Sequence, residues 1–392
     1  MAEVERNPVE RRFVMYVPNS NLNPFHARSP WLMLPRSFHE LGYRSTLICG
    51  RMSGGLPPQV RVVETGLVVN DPRRGGALRS LVEPWLAFGE IRRQQPDLVI
   101  VGPLRSSLFS LLPLVGLYRL LRRRGRSSRT RFVLKADWNL DPTGLSPLEF
   151  ALSRTLLVAS THVLDLVSIE TSCGVGRAQA LPLLRRERLK RIPLGFPQGT
   201  MERVPYEHGP RGPVILCVAR IARMKGQAIL LQAFEQLAAQ FPEWSVRLVG
   251  PVDDPAYRDE LLAFAAEHGL ANRVVIAGFL DQAEVDREFT RASVFCLPSI
   301  HSETAGQVKY EATGFGIPVV TTDVPCGPDA IEMGWWVAPA GDASDLARQL
   351  RGLLGDASER QRVAHGAQSK LRSYRELAEA YLLASRATTV EV

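Results

Sequence analysis

A chain of 392 residues is longer than one ordinary hydrophobic core serves and fits two domains of usual size. Hydrophobic residues at 45% and charged residues at 22% match globular composition, which excludes a largely disordered protein. A net charge of +8 and a pI near 9.5 point to an anionic partner, whether nucleic acid, an acidic lipid surface or a phosphorylated substrate.

The opening "MAEVERNPVERRFVMYVP" carries charge where a signal peptide has its apolar core, so no export is expected. The five cysteines stand singly, with no CxxC pair, and the reading expects a reducing, cytoplasmic compartment with neither a zinc site nor a disulfide framework.

In chain order the first half alternates β-rich runs with helical patterns: "FVMYVP", "WLMLPRSFHELG", "RSTLICG", "DLVIVGP", an apolar helix, "RFVLKADW", a helix near "LEFALSRTLLVAS", and "HVLDLVSI". Such alternation predicts βα units around a parallel sheet, with sites gathered beyond the C-terminal strand ends. The Pro- and Gly-dense "PQGTMERVPYEHGPRGP" reads as a linker. The pattern then restarts with "VILCVAR", a helix over 227–240, "SVRLVG", a helix over 256–268, "RVVIAGF", "ASVFCLP", "PVVTTDV" and "GWWVAPA". The expected organisation is α/β throughout, with Rossmann-like domains at 1–196 and 197–372 and a C-terminal helix at 373–392 that packs back across the junction.

The stretch "HSETAGQVKYEATGFGIPVV" holds Glu303 in a loop and Glu311 on the helix that follows, eight positions on. Between them Thr304, Ala305, Gly306 and Gln307 read as a helix start, whose free N–H groups and macrodipole attract phosphate. Carboxylates on either side of that positive spot suit a ligand anionic in its middle and hydroxyl-rich at both ends, as a nucleoside diphosphate sugar is. Arg220 and Lys225, in "VARIARMKGQ", follow a strand and precede a helix, so both reach the same region and compensate charge on a departing diphosphate. Gly250 and Phe279, at the ends of "SVRLVG" and "RVVIAGF", are further donor-site candidates. His301 has no second ligand at metal spacing.

The Arg-x4-Lys-Gly after the second domain's first strand, with the Glu-x7-Glu pair and "GIPVVTTDV", resembles the retaining GT-B glycosyltransferases usually called family 4, over most of 214–354. The resemblance implies two Rossmann-like domains facing a central cleft, a nucleotide sugar held mainly by the C-terminal one, and an acceptor held by the N-terminal one. It implies glycosyl transfer with retained anomeric configuration and no metal or other cofactor. It assigns Arg220 and Lys225 to a diphosphate clamp, Glu311 to the ribose, Glu303 to the donor sugar, and Thr304, Ala305 and Gly306 to backbone phosphate contacts.

The chain departs from the family in its first loop, "PNSNLNPFHARSPW", where a Gly pair is usual; Asn19, Asn21, Asn23 and His26 are acceptor candidates there. Where the family often has a histidine, after "RFVLKA", the nearest polar group is Asp137, a catalytic candidate placed either to accept the sugar's 6-hydroxyl or to contact an acceptor. The segment from Arg105 to Arg131 is Arg-rich, with an apolar run too short to span a bilayer. It reads either as an interfacial helix on an anionic membrane surface, beside a lipid-linked or saccharide acceptor, or as a core helix with a solvated basic end. Two competing functions remain open: a basic membrane- or nucleic-acid-binding module on a degenerate fold, and a relative with epimerase or phosphorylase chemistry. The Arg cluster has no interleaved aromatics and leaves the paired glutamates unexplained, so no nucleic-acid partner is expected.

Overall fold

The computed structural model describes residues 11–22, 28–53, 58–66, 76–102, 111–117, 130–136, 146–197, 203–206, 211–301 and 306–387. The first lobe is built on β1 (Arg12–Leu22), β2 (Arg44–Met52), β3 (Arg61–Glu64), β4 (Leu98–Val101), β5 (Arg131–Ala136), β6 (Leu166–Ile169) and β7 (Leu189–Arg191). They pair in parallel in the order β3-β2-β1-β4-β5-β6-β7. The second lobe has β8 (Val214–Val218), β9 (Ser245–Val249), β10 (Val274–Gly278), β11 (Val294–Leu297), β12 (Val319–Thr322) and β13 (Trp336–Ala338). Its parallel order is β10-β9-β8-β11-β12-β13.

The central strands β4, β6, β11 and β12 are buried at every position, because helices cover both faces of a parallel sheet. Their runs of Val, Ile, Leu and Phe follow from that double burial. At the edge, β3 exposes most of its side chains, and its "RVVE" lacks an apolar run; neither it nor the Gly76–Gln94 helix stands out in the sequence pattern. The Pro147–Val163 helix is started by a capping box in which Ser146 and Glu149 satisfy each other's backbone N–H groups.

Two cores lie against the first sheet and one fills the second lobe. The C-terminal helix, Tyr374–Ala387, inserts Tyr374, Leu377, Ala378 and Tyr381 into the first lobe's core beside Phe13 and Met15. The Tyr381 hydroxyl meets Ser168 Oγ at 3.0 Å, which satisfies the polar end of a buried ring. Chain and lobes are tied at the crossover, where Phe196 N donates to Arg372 O at 2.6 Å and the Phe196 ring lies where a Cβ on Gly314 would stand.

One expectation is overturned. Cys173, in the first turn of the Ser172–Gln179 helix, and Cys326, just before the Gly327–Glu332 helix, are joined as a disulfide between the lobes, with Cα atoms 5.7 Å apart. The two are 153 residues apart in the chain, so no local spacing announces the pair. Cys49, Cys217 and Cys296 are buried and free. Alkylation of the unfolded, unreduced protein is therefore expected to label three cysteines, and five after reduction; five without reductant would remove the bridge.

Candidate active site

In each sheet the first strand is flanked on one side by the strand that follows it and on the other by a later one. The chain thus reverses its direction of travel between β1 and β4, and again between β8 and β11. Loops leaving the C-terminal ends of such neighbours diverge and open a crevice, which is where α/β sheets bind ligands. The second lobe's crevice is formed by the loops after β8 and β11, which carry the two halves of the motif.

After β8 the chain runs through Ala219, Arg220 and Ile221 into a single 3-10 turn, Arg223–Lys225, and then the Gln227–Ala238 helix. Gly226 joins turn to helix with φ +69°, a left-handed conformation open to glycine at little cost. The buried Gln227 donates from Nε2 to Arg220 O at 2.8 Å, pinning the loop's start. Ile300 N donates to Met224 O at 3.0 Å, so the Arg-x4-Lys loop is directly stitched to the loop after β11. Arg220 is exposed and ion-paired to Asp253, while Lys225 is half-buried.

The loop after β11 leads to Gly306 and the Gln307–Gly314 helix, which carries Glu311. Glu303, Thr304 and Ala305 lie outside the described residues, as do Asn23, His26 and Asp137. The helix starts at Gln307, with Gly306 as its cap, rather than at Thr304. Gln307 turns its side chain to the interlobe crossover: Nε2 donates to Gly195 O at 3.4 Å and Oε1 accepts from the Tyr374 hydroxyl at 2.8 Å. Its side-chain amide is thus engaged at the crossover, and its backbone N–H heads the helix. Gly250 ends β9 at φ +145°, and a Cβ there would stand 2.1 Å from Ala219 O, beside Arg220. Phe279 is 55% exposed after β10. The backbones of Asn19 and Asn21 belong to the end of β1, beyond a break in register between Val17 and Asn21.

Glu311 is only 12% exposed, and burial pushes its carboxyl up to about 7, the nearby Arg28 guanidinium pulling the other way. Arg28 comes from the first lobe, two residues before the Pro30–Glu40 helix. Its Nη1 donates to Glu311 Oε2 at 3.4 Å, while Nη1 and Nη2 take Asp286 Oδ1 and Oδ2 at 2.7 and 2.6 Å. Burial works against the guanidinium charge, yet the two carboxylates outweigh it and hold Arg28 above its ordinary value.

The first lobe contributes a second feature the sequence reading did not single out. Lys135 Nζ, at the end of β5, is ion-paired to Glu170 at the end of β6 and lies 4.9 Å from the Trp31 ring centroid. Lys135 and Glu170 are 1% and 6% exposed, so the pair is a matched buried charge at the crevice wall. Across the cleft Arg191 bonds Asp329 and Glu332 at 3.2 and 2.6 Å, and Ser172 N donates to Asp329 at 2.8 Å, next to the disulfide.

Residues 201–370 match the family model described as glycosyl transferases group 1. That match takes in most of the second lobe. The chain is 29% identical over 365 residues to a 2-deoxystreptamine glucosyltransferase of Streptomyces kanamyceticus, covering 83% of this chain and 88% of the relative. It is 30% identical over 194 residues to a phosphatidyl-myo-inositol mannosyltransferase of Mycolicibacterium smegmatis, 46% of this chain and 49% of that one. The fold matches Anabaena Alr3699/HepE, solved with UDP and glucose, at a TM-score of 0.70 and 19% identity over 96% of this chain and all of that one. It also matches WaaG, a glycosyltransferase involved in lipopolysaccharide biosynthesis, at a TM-score of 0.65 and 14% identity over 96% and 100%. The architecture is GT-B.

Proposed function

We propose that this glycosyltransferase moves a hexose-type sugar from a nucleoside diphosphate sugar to a saccharide or lipid-linked acceptor, with retention and without a metal ion or other cofactor, as in cell-envelope polysaccharide or glycolipid synthesis. The observation that carries the reading is the stitching of the Arg220 to Lys225 loop to the loop leading to Glu311, at the switch point of the second sheet. That bond ties the loop carrying both cations to the loop that leads to the buried carboxylate.

In this reading Glu311 accepts hydrogen bonds from the ribose hydroxyls, and the diphosphate lies over the free N–H groups at Gly306 and Gln307. Glu303 addresses the donor sugar, and Gly250 and Phe279 border the nucleotide. The bond from the anomeric carbon to the diphosphate oxygen breaks as the acceptor oxygen bonds that carbon on the same face. The acceptor's proton passes to the departing phosphate oxygen. Arg220 and Lys225 stabilise the charge developing there, an effect strongest in a site closed to water. Asn19, Asn21, Asn23 and His26 are assigned to the acceptor, and Asp137 to the reacting sugar's 6-hydroxyl or the acceptor. No described helix is long and apolar enough to cross a membrane. The apolar part of the Arg105 to Arg131 segment buries Leu111, Leu112 and Val115 in the first lobe's core, so only its Arg-rich end, outside the described residues, is assigned to an anionic membrane surface on the cytoplasmic side.

A thermal-shift screen against UDP, GDP, ADP, dTDP and their sugar conjugates tests this, since a ligand that prefers the folded state raises the melting temperature by mass action. One nucleotide class is expected to stabilise the protein and to lose most of that effect in Glu311→Ala. Stabilisation by none, alongside salt-sensitive binding to RNA, would favour the binding-module alternative.

A further inference from the structure

We infer that Arg28 is a positioning residue for the ribose subsite: a cation supplied by the opposite lobe that keeps Glu311 ionised and oriented. The inference rests on the nucleotide-sugar reading above and adds a residue that lies outside the motif.

The geometry is asymmetric. Asp286, on the Gln282–Arg291 helix, takes both terminal nitrogens of Arg28 at 2.6–2.7 Å and thereby anchors the guanidinium. Gln282 Nε2 in turn donates to Asp286 Oδ1 at 3.1 Å and fixes that carboxylate. Glu311 receives one longer contact, 3.4 Å to Oε2. Its Oε1 has no hydrogen bond among the described residues and is left for a ligand hydroxyl. A fork bound bidentately to one carboxylate and grazing a second suits a charge-setting role better than a tie whose main bond is to Glu311.

Arg28 is 5% exposed, so its charge acts through protein rather than water. Its partners are 258 and 283 residues away in the chain, and both belong to the second lobe. The contact therefore brings a first-lobe cation to the second lobe's ribose site.

Arg28 and Asp286 are the charged groups acting on Glu311, and they act in opposite directions. Glu311 must be ionised to accept two ribose O–H groups, so affinity is present above its pKa of about 7 and is lost as the pH falls through it. Removing Arg28 removes a group that favours the carboxylate and moves that acid limb to higher pH. Removing the charge of Asp286 moves it to lower pH. A contact that only held the lobes together would weaken in both variants and shift neither limb in opposite senses.

The test is the pH dependence of affinity for the sugar conjugate selected by the screen, whose diphosphate has no titrating proton near neutrality. Wild type, Arg28→Met, Arg28→Lys and Asp286→Asn are compared, each checked for folding by its melting curve. For Arg28→Met the acid limb is expected to rise by about a unit or more, with affinity at pH 7 falling roughly tenfold. Arg28→Lys is expected to restore most of the loss, and Asp286→Asn to lower the limb. Limbs that stay put, or move together, overturn the inference while leaving the donor reading intact. If no conjugate binds the wild type, the donor reading falls and takes the inference with it.

Discussion

Lys225→Ala is expected to lower kcat by about 10²- to 10³-fold, the loss typical of removing one preorganised donor from a developing anion. The melting temperature should barely move. Lys225 is half-buried in a turn whose shape is set by backbone bonds: Lys225 N donates to Ala222 O at 2.8 Å and Gly226 N to Arg223 O at 3.1 Å. Shortening the side chain breaks none of these backbone bonds, so the turn keeps its shape. KM for the donor should rise far less than kcat falls, because the cation is needed most when the diphosphate departs. Arg220→Ala should be milder at the ground state, since Arg220 is already paired with Asp253 and must leave that partner to meet a phosphate. Steady-state kinetics with matched thermal melts decide the matter; an unchanged kcat in Lys225→Ala would remove the diphosphate clamp from the mechanism.

The second lobe was far more legible in the sequence than the first, and the reason is the range of the interactions. Arg-x4-Lys-Gly is written within one βα loop, and Glu311 sits on the helix that follows the neighbouring strand β11, so fixed spacing encodes the geometry. Strands buried on both faces, such as "VFCL" and "VVTT", announce themselves as apolar runs. The first lobe's edge strand "RVVE" is mostly solvated and carries no such run. Arg28, the Cys173 and Cys326 bridge, and the Lys135 to Glu170 pair were not legible, because each is completed by a residue far along the chain. Arg28 reads locally as one more basic residue before "SPW", in a chain whose cations are mostly Arg. A buried Lys at the end of a strand gave one hint, since Lys135 interrupts the apolar run "FVL" and "A" without an adjacent acid.

Gly226→Ala is expected to be the most damaging single-atom change in the second lobe, and the reason separates backbone from chemistry. Gly226 holds φ +69°, which costs an L-residue roughly 1–2 kcal/mol. The added Cβ would also lie 2.0 Å from Pro298 O and 2.9 Å from Pro298 C, both backbone atoms that no rotamer change can move aside. Either the turn or the loop after β11 must shift, at about 1–3 kcal/mol more for overpacking. Together these predict a loss of about 2–5 kcal/mol, read as a lower urea midpoint for the second lobe. The shift would also part Met224 O from Ile300 N, the bond that holds the two halves of the site together, so the surviving folded protein should lose turnover as well. Gly250→Ala is a parallel case, its Cβ meeting Ala219 O at 2.1 Å on the other side of Arg220. Lys225→Ala and Gly226→Ala, adjacent in the chain, should thus fail differently. The first should fold normally and turn over poorly, whereas the second should be unstable and should also bind nucleotide weakly. Equal stability of Gly226→Ala and wild type would mean that this turn is not held against Pro298 as described.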